Sequence, residues 1–396
     1  MKPAASSMPS RACPDELVAA WREIALRATG DIEEKSAVRK LEAAAKLLSD
    51  TFTTGREAGF AGYQDDRMAL IAYGLFFFPR TYVRTRMVLE ECAADWTCRD
   101  PVLHITDLGA GTGAAGLAAL EMFSRWQPEA TLHLELVDKS NKGFEFARQL
   151  FEAGKPCWPR ARLTEATADA QLYVPSSRDK GDKGTQIILA SFSVNEWMEG
   201  HTDDALQAWV GRQMEALAPG GWLVIMEPAL RASVERMERL RDWVAAEKIA
   251  RILAPCPHHL PCQILAQKRG WCHEVRRWQP PPSLRLINRQ LQRDIELLKW
   301  SFLVLQKSCV PDAPTGWTRL VSPVRKEKGK YTCHGCGADG QVRRLEWLTR
   351  HLTDDQKQAS ESLERGDRIT TPQGKILADN STLRVDEPAR KAPEFQ

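Results

Sequence analysis

Long apolar runs are what this sequence of 396 residues most plainly lacks. Stretches such as Leu75-Phe76-Phe77-Phe78 are far shorter than the ~20 residues a helix needs to cross a bilayer, so an α-helical membrane protein is excluded and a soluble chain without a membrane partner is expected. A strong charge bias is missing too: 55 Lys and Arg stand against 52 Asp and Glu, a net charge of +3, so any charged surface must come from distribution rather than total. The first dozen residues have no apolar core of a secretory signal and are too short for a convincing organelle transit peptide. Ten cysteines without an export signal point to a reducing compartment, where clustered thiols are more often metal ligands than disulfides. A cytoplasmic or organelle-matrix location is expected. No internal repeat is visible.

What is present reads as an ordered series of elements. Val18, Trp21, Ile24, Ala25 and Ala28 recur at helical spacing, and Val38–Phe52 and Arg67–Leu89 repeat the habit, giving a helical N-terminal domain over 1–99. Val102–Thr106, Leu132–Val137, Ile187–Ala190 and Trp222–Met226 read as buried parallel strands alternating with helices, which implies a doubly wound α/β sheet over 100–250. Pro175–Gly184 is a polar loop, and Ala229–Ile249 a helix leading into a Cys/Pro/His-rich segment that should not form regular structure. Leu297–Leu305 suits a strand or a helix. Trp317–Leu348 reads as β-rich with turns at Gly329 and Ala338-Asp339-Gly340. Residues 251–370 form a cysteine-rich, β-containing C-terminal part, and the polar tail 371–396 is expected to be disordered.

The strongest motif is Asp107-Leu108-Gly109-Ala110-Gly111-Thr112-Gly113, directly after a strand and before the helix-like Ala114–Phe123. Glycines let the chain turn sharply and let a ligand approach the backbone, while a helix N-terminus offers free amides. A dinucleotide fingerprint places its third glycine three residues after the second. Here the spacing is Gly109-x-Gly111-x-Gly113 behind Asp107, which resembles the first motif of class I S-adenosylmethionine-dependent methyltransferases. Asp138, closing the next strand, is then expected at the ribose hydroxyls and Asp169 near the adenine.

Three cysteines fall in irregular chain at Cys256, Cys262 and Cys272, amid Pro255, Pro257, Pro261, His258, His259 and His273. Thiolates are soft ligands for zinc or an iron–sulfur centre, and the spacing leaves both open. Cys333 and Cys336 offer a fourth ligand. Cys13, Cys92, Cys98, Cys157 and Cys309 read as plain core or surface residues. Lys268, Arg269, Arg276, Arg277, Arg285, Arg289 and Arg293, followed by Arg319, Arg325, Lys326, Lys328, Lys330, Arg343 and Arg344, suit a phosphate-facing surface or a merely solvated basic face, and charge alone leaves both open.

Together these stretches resemble the mitochondrial small-subunit ribosome-assembly proteins with a methyltransferase-like fold, and their bacterial homologues regarded as rRNA methyltransferases. The residues carrying the resemblance are Phe78-Pro79-Arg80-Thr81-Tyr82, Asp107–Gly113, Ser191-Phe192-Ser193-Val194-Asn195-Glu196, Gly220–Pro228, Ala254–His258, Trp271-Cys272-His273 and Cys336–Gly340, in matching order over roughly 65–370. The resemblance implies a class I S-adenosylmethionine-dependent methyltransferase fold (a Rossmann-like doubly wound sheet) and a 4Fe–4S cluster on Cys256, Cys262, Cys272 and Cys336. It also implies partners in small-subunit rRNA and proteins, a monomer off the ribosome, and residence in the bacterial cytoplasm or the mitochondrial matrix. Gln263, Glu274 and the extra thiol Cys333 depart from the family pattern.

Activity is less legible. The Asn/Asp-Pro-Pro-aromatic motif of amino-group methyltransferases is absent; its position reads Ser193-Val194-Asn195-Glu196. Cytosine C5 transfer would need a thiol nucleophile, but Cys256 is wanted as a ligand. Asn195 and Glu196 are weak candidates for contacting a base edge, or Glu196 caps the following helix. Trp197 and Trp271 suit stacking on a base or packing. An rRNA methyltransferase and a non-catalytic assembly factor both remain open, with a zinc-containing methyltransferase of another substrate as a further alternative.

Overall fold

The computed structural model describes residues 11–53, 66–175, 184–268, 270–291, 294–308, 316–378, 382–385, 387 and 389–391. Arg269, Arg293, Cys309, the side chain of Arg289 and most of the Pro175–Gly184 loop lie outside the described residues. The chain divides into two compact units that interleave along the sequence. The first comprises Met1–Glu90, Arg99–Tyr173 and Arg277–Leu298; the second, Glu91–Cys98, Val174–Arg276 and Lys299–Gln396.

In the first unit four helices come before the first strand: α1 (Asp15–Thr29), α2 (Glu34–Thr53), α3 (Arg67–Phe76) and α4 (Phe78–Glu91). Burial of Leu17, Trp21, Ile24 and Ala25 follows the helical period, and α1 stops at Gly30, whose φ of 69° suits a residue without Cβ. Asp66 caps α3 by accepting a hydrogen bond from the Met68 amide at 2.8 Å. The apolar pattern runs on without a gap, yet the helix breaks at Phe77. Pro79 has no N–H to give and fits only in the first turn of a new helix. Trp21 then packs edge-on against Phe78 (5.7 Å) and beside Phe146 (5.6 Å).

Next come β1 (Val102–Leu108), α5 (Ala114–Trp126), β2 (Thr131–Asp138), α6 (Phe144–Ala153) and β3 (Ala161–Thr167). The strands are parallel in the order β3-β2-β1, with Val102 opposite Thr131 and Leu132 opposite Ala161. Their alternation with helices places the β1–α5 and β2–α6 turns, and the ligand-binding sequences they carry, at one end of the strands.

The second unit continues with β4 (Thr185–Ser191), α7 (Val194–Trp197), α8 (Asp203–Ala216), β5 (Leu217–Pro228), α9 (Arg231–Ala246), β6 (Arg251–Ala254), α10 (Gln263–Gln267) and β7 (Glu274–Arg277). α11 (Pro282–Leu291) belongs to the first unit, and β8 (Leu297–Gln306) resolves the open choice there in favour of a strand. β4 and β5 are parallel, whereas β8 runs antiparallel between β5 and β6. The Cys/Pro/His segment is irregular from Pro255 to Cys262, as expected. It then gives way to the short α10 and β7, because Gln263–Gln267 carries no proline and Glu274–Arg277 pairs with β8.

A second sheet follows: β9 (Trp317–Leu320), β10 (Arg325–Glu327), β11 (Lys330–Cys336), β12 (Val342–Leu348), α12 (Asp354–Ser362), β13 (Arg368–Thr370), β14 (Gly374–Ile376) and β15 (Thr382–Val385). Its order is β13-β9-β11-β12-β15-β14, with β10 on β11. Leu320, Tyr331, Cys333, Leu345, Trp347, Leu363, Ile369 and Val385 form its core. Within 371–396, where disorder is expected, the described residues form β14 and β15; 379–381, 386, 388 and 392–396 lie outside the described residues. β12 supplies hydrogen-bond partners along a parallel edge, and Val385 is buried against the core, neither of which average polarity registers.

Candidate functional site

The glycine loop of the first unit is shaped by backbone conformation. Gly109, Gly111 and Gly113 have φ of 73°, 53° and 80°, a left-handed run that other residues rarely adopt. The amides of Gly109 and Ala110 both donate to the Val137 carbonyl, at 2.8 and 3.1 Å. Asp138 accepts from the Gly111 amide through Oδ2 (2.9 Å) and from the Ser140 amide through Oδ1 (3.0 Å), so the loops after β1 and β2 are fastened to one carboxylate. Burial raises its pKa against the pull of those amides.

Leu70, Tyr73, Gly111, Thr112, Asp138, Ser140 and Gly143 line a cleft here. It sets an aromatic and an aliphatic side chain beside a carboxylate and hydroxyls, the mixture a nucleoside with ribose hydroxyls requires. Thr112 Oγ1 is buried in this cleft without a hydrogen-bond partner, an orphan that a polar ligand would satisfy.

Not every expected residue faces the cleft. Asp107 is 1% exposed, and its Oδ2 accepts from the Gly116 amide (2.8 Å), which anchors the start of α5. Burial pushes its carboxyl up to about 7. Asp169, two residues past β3, is exposed and accepts from the Gln171 amide (2.9 Å). Leu70, Tyr73 and Gly143 were not singled out by motif reading. Gly143 has a readable reason in space: a Cβ there would collide with the Gly111 carbonyl.

In the second unit Ser193-Val194-Asn195-Glu196 forms the start of α7, entered through Phe192 at a φ of 60°. The Asn195 amide donates to Oε1 of buried Glu227 at 3.3 Å. Glu196 does not cap the following helix; Thr202 does, accepting from the Ala205 amide at 3.3 Å, because only Thr202 sits at the N-cap in extended conformation. Trp197 packs 5.7 Å from Trp209, and the Trp271 indole donates to the Ala229 carbonyl at 3.0 Å.

Cys256, Cys262, Cys272 and Cys336 line one cavity of about 60 Å³ together with Glu238, Arg241, His258, Glu274 and Arg319. That is several times the ~10–15 Å³ that holds a single water. Among the described residues no three His, Cys, Asp or Glu side chains already form a cage for a single ion. Burial pushes the thiols of Cys262 and Cys336 up to about 12 and raises that of Cys272 well above the ordinary range. Such thiols stay protonated unless a cationic centre takes them as thiolates.

One face of α9 holds the cysteine-bearing loops: Glu238 Oε1 accepts from the Cys272 amide (2.8 Å), and Asp242 accepts from the Cys262 amide (3.0 Å). Glu238 Oε2 and Arg241 Nε, on that same face, are buried without a hydrogen-bond partner among the described residues. Four thiols around two orphaned polar groups are a donor set that fits a metal centre. Cys333 does not join them. On β11 it lies with Tyr331 in the sheet core, and Cys336, three positions on, faces the other way.

The basic stretch divides on folding. Arg276 and Arg319 are buried, which corrects their reading as phosphate-facing. Arg319 pairs with Glu274 (2.6 Å) and Glu91 (2.5 Å), and Arg276 pairs with Glu274 (2.9 Å) and Asp367. At the surface Lys326 meets Glu361 (2.9 Å), Arg343 meets Asp339 (2.7 Å) and Arg344 meets Glu327 (3.2 Å).

Parallel strands with a glycine loop after β1, an acid at the end of β2 and a reversed β8 beside β5 define an α/β protein of the class I S-adenosylmethionine-dependent methyltransferase fold, extended by N-terminal helices and a second sheet. A family described as "Mitochondrial small ribosomal subunit Rsm22" matches residues 67–370, and the chain belongs to it. The human "Ribosome assembly protein METTL17, mitochondrial" is 24% identical over 250 residues, covering 60% of this chain and 49% of that protein; this chain thus spans about half the length of the curated relative it matches.

Similar solved structures include a class I methyltransferase of Listeria monocytogenes (12% identical, 76% of this chain and 90% of that one, TM-score 0.38). A precorrin-6y C5,15-methyltransferase of Geobacter metallireducens is 13% identical, covering 56% and 87% at a TM-score of 0.31. At scores this low they say nothing of substrate.

Proposed function

We propose that this protein binds S-adenosylmethionine in its glycine-loop cleft and holds a 4Fe–4S cluster on Cys256, Cys262, Cys272 and Cys336. We further propose that it serves the small ribosomal subunit as an assembly factor with a methyltransferase fold, in the mitochondrial matrix or the bacterial cytoplasm. It works as a monomer when off the ribosome, and residues 251–370 form its metal-binding, RNA-facing part. The observation that carries this reading is the meeting of four thiols, distant in sequence, around one cavity. Family membership and the likeness to a ribosome-assembly protein support the choice of partner.

In the cleft, Gly109, Gly111 and Gly113 let the cofactor approach the backbone. Asp138 accepts from the ribose hydroxyls. Bound there, S-adenosylmethionine supplies an electrophilic methyl group, and what the chain must add is position and exclusion of water. Asn195 and Glu196 are the side chains left to meet a base edge. They lie on a one-turn helix whose backbone is tied to Glu227, without the proline-bearing motif of amino-group transfer, which favours assembly over turnover.

The test is anaerobic purification followed by a visible spectrum and assays of iron, sulfide and zinc, with rRNA crosslinking and methyl mapping at the crosslinked sites. Brown protein with iron and sulfide in equal amount, bound to small-subunit rRNA, is the expected result. Colourless protein containing zinc would remove the cluster. A methyl group added at a crosslinked nucleotide would establish rRNA methyl transfer as the activity instead.

A further inference from the structure

Two buried guanidinium groups, Arg241 and Arg319, and the half-buried Arg365 lie near the cysteines, and their surroundings differ. Arg319 lines the cavity but is saturated: Glu91 and Glu274 neutralise it, and it also donates to the Pro255 carbonyl at 3.2 Å. Arg365 donates to the Trp271 carbonyl at 2.7 Å and is not among the lining residues. Arg241 is 3% exposed, lines the cavity, and has a buried Nε–H without an oxygen or nitrogen acceptor among the described residues. Its one carboxylate partner is the neighbouring Asp242, at 2.6 Å.

The remaining arms of Arg241 reach both ends of the site. Nη1 donates to the Leu260 carbonyl and Nη2 to the His258 carbonyl, gripping the loop between Cys256 and Cys262. Nη2 also lies 3.1 Å from His258 Nδ1. Nδ1 lies equally close to the Leu260 carbonyl, at 3.1 Å, and the other ring nitrogen, Nε2, is 3.4 Å from Cys336 Sγ. Arg241 thereby touches the Cys256–Cys262 loop directly and Cys336 through one imidazole.

We propose that Arg241 is the positioning residue of the four-cysteine centre, tying two separate ligand segments together and offering a buried Nε–H and a positive charge to the anionic group they hold. The proposal rests on the iron–sulfur reading above. A cluster ligated by four thiolates carries net negative charge, and one buried cation beside it favours the reduced, more negative state.

The full chain is purified anaerobically as wild type, Arg241→Gln and Arg241→Lys. Iron affinity is read by chelator competition, midpoint potential by dithionite titration followed by electron paramagnetic resonance, and folding by melting of the iron-free proteins. Arg241→Gln is expected to bind iron roughly 10–100-fold more weakly, the usual cost of losing a ligand-orienting group, and to shift the potential to more negative values. Arg241→Lys keeps the charge but cannot grip two carbonyls, so it should bind iron weakly yet hold the wild-type potential.

Unchanged affinity and potential in both variants overturn the proposal, and so does iron loss in Arg241→Gln without a shift in potential, which would mark a merely structural residue. Should Arg241→Gln not fold, Arg241→Lys decides alone, and wild-type iron affinity in it is the overturning result. Wild-type protein that carries no iron sinks the cluster reading itself; iron-bearing wild type with indifferent variants sinks only the role of Arg241.

Discussion

Single residues in this chain divide between those that meet a ligand and those that hold the ones that do. Gly143 belongs to the second kind. Replacing it with Ala drives a methyl into the Gly111 carbonyl, and S-adenosylmethionine affinity should fall by about tenfold, the scale of one lost hydrogen-bonding geometry. Titration calorimetry giving an unaltered Kd would remove Gly143 from the cleft.

The cysteines allow a paired test. Cys262→Ser should lose iron, whereas Cys333→Ser should keep it and cost about 1–3 kcal/mol of stability by burying a hydroxyl among Tyr331, Leu345 and Trp347. Iron analysis and denaturant melts read the two. Their faces on β11 were in principle legible, since positions three apart on a strand point oppositely; the sequence offers both thiols as a fourth ligand, and family resemblance alone selects Cys336.

Asp107 makes a pH prediction. Its folded pKa is raised to about 7 from an ordinary 3.8 by burial, so the folded state keeps a proton that the unfolded chain releases. Stability from this group is full below about pH 4 and is lost as pH rises through 7. Asp107→Asn keeps an acceptor for the Gly116 amide, and its denaturant midpoint should change less between pH 5.5 and 8 than that of wild type. Parallel curves for the two would refute this account.

Elements were legible where one face or both faces are buried. The cores of β1, β2, β4 and β5 announce themselves as apolar runs, and α1 by its period, because burial imposes those patterns. Strands whose stabilisation comes from a neighbour's edge do not. β15 has four residues, and its pairing partner on β12 lies far back in the chain. A chain ending at Thr370 would leave that edge of β12 open and uncover the core around Trp347 and Leu345. It should melt earlier, by roughly the 1.5–3 kcal/mol that a buried Val side chain alone supplies, and become sensitive to protease between Val342 and Leu348. A truncated protein as resistant as the full chain would show β14 and β15 to be passengers.

At the scale of the whole molecule the least legible feature is where the arginines go. Arg276, Arg319 and Arg368 sit with Glu91, Glu274 and Asp367 in a buried network drawn from α4, β7, β9 and β13. Counting charges along a sequence cannot separate such a cluster from a basic surface, since each acid is distant from its arginine. Nor could it show that the second compact unit takes up Glu91–Cys98 from the end of the helical region. Glu274→Gln leaves Arg276 and Arg319 short of a counter-charge and should destabilise the protein by about 3–5 kcal/mol. A melt within 1 °C of wild type would show the network to be dispensable.

The four cavity thiols are also ordered in time. Cys256, Cys262 and Cys272 emerge from the translating ribosome early, while Cys336 arrives only once β11 has been made. On the proposed assignment a chain interrupted anywhere between them can bind cofactor in its glycine loop yet cannot close the inorganic centre. Loading would therefore certify a finished product, and a supply shortage of iron would leave full-length but unsealed copies behind.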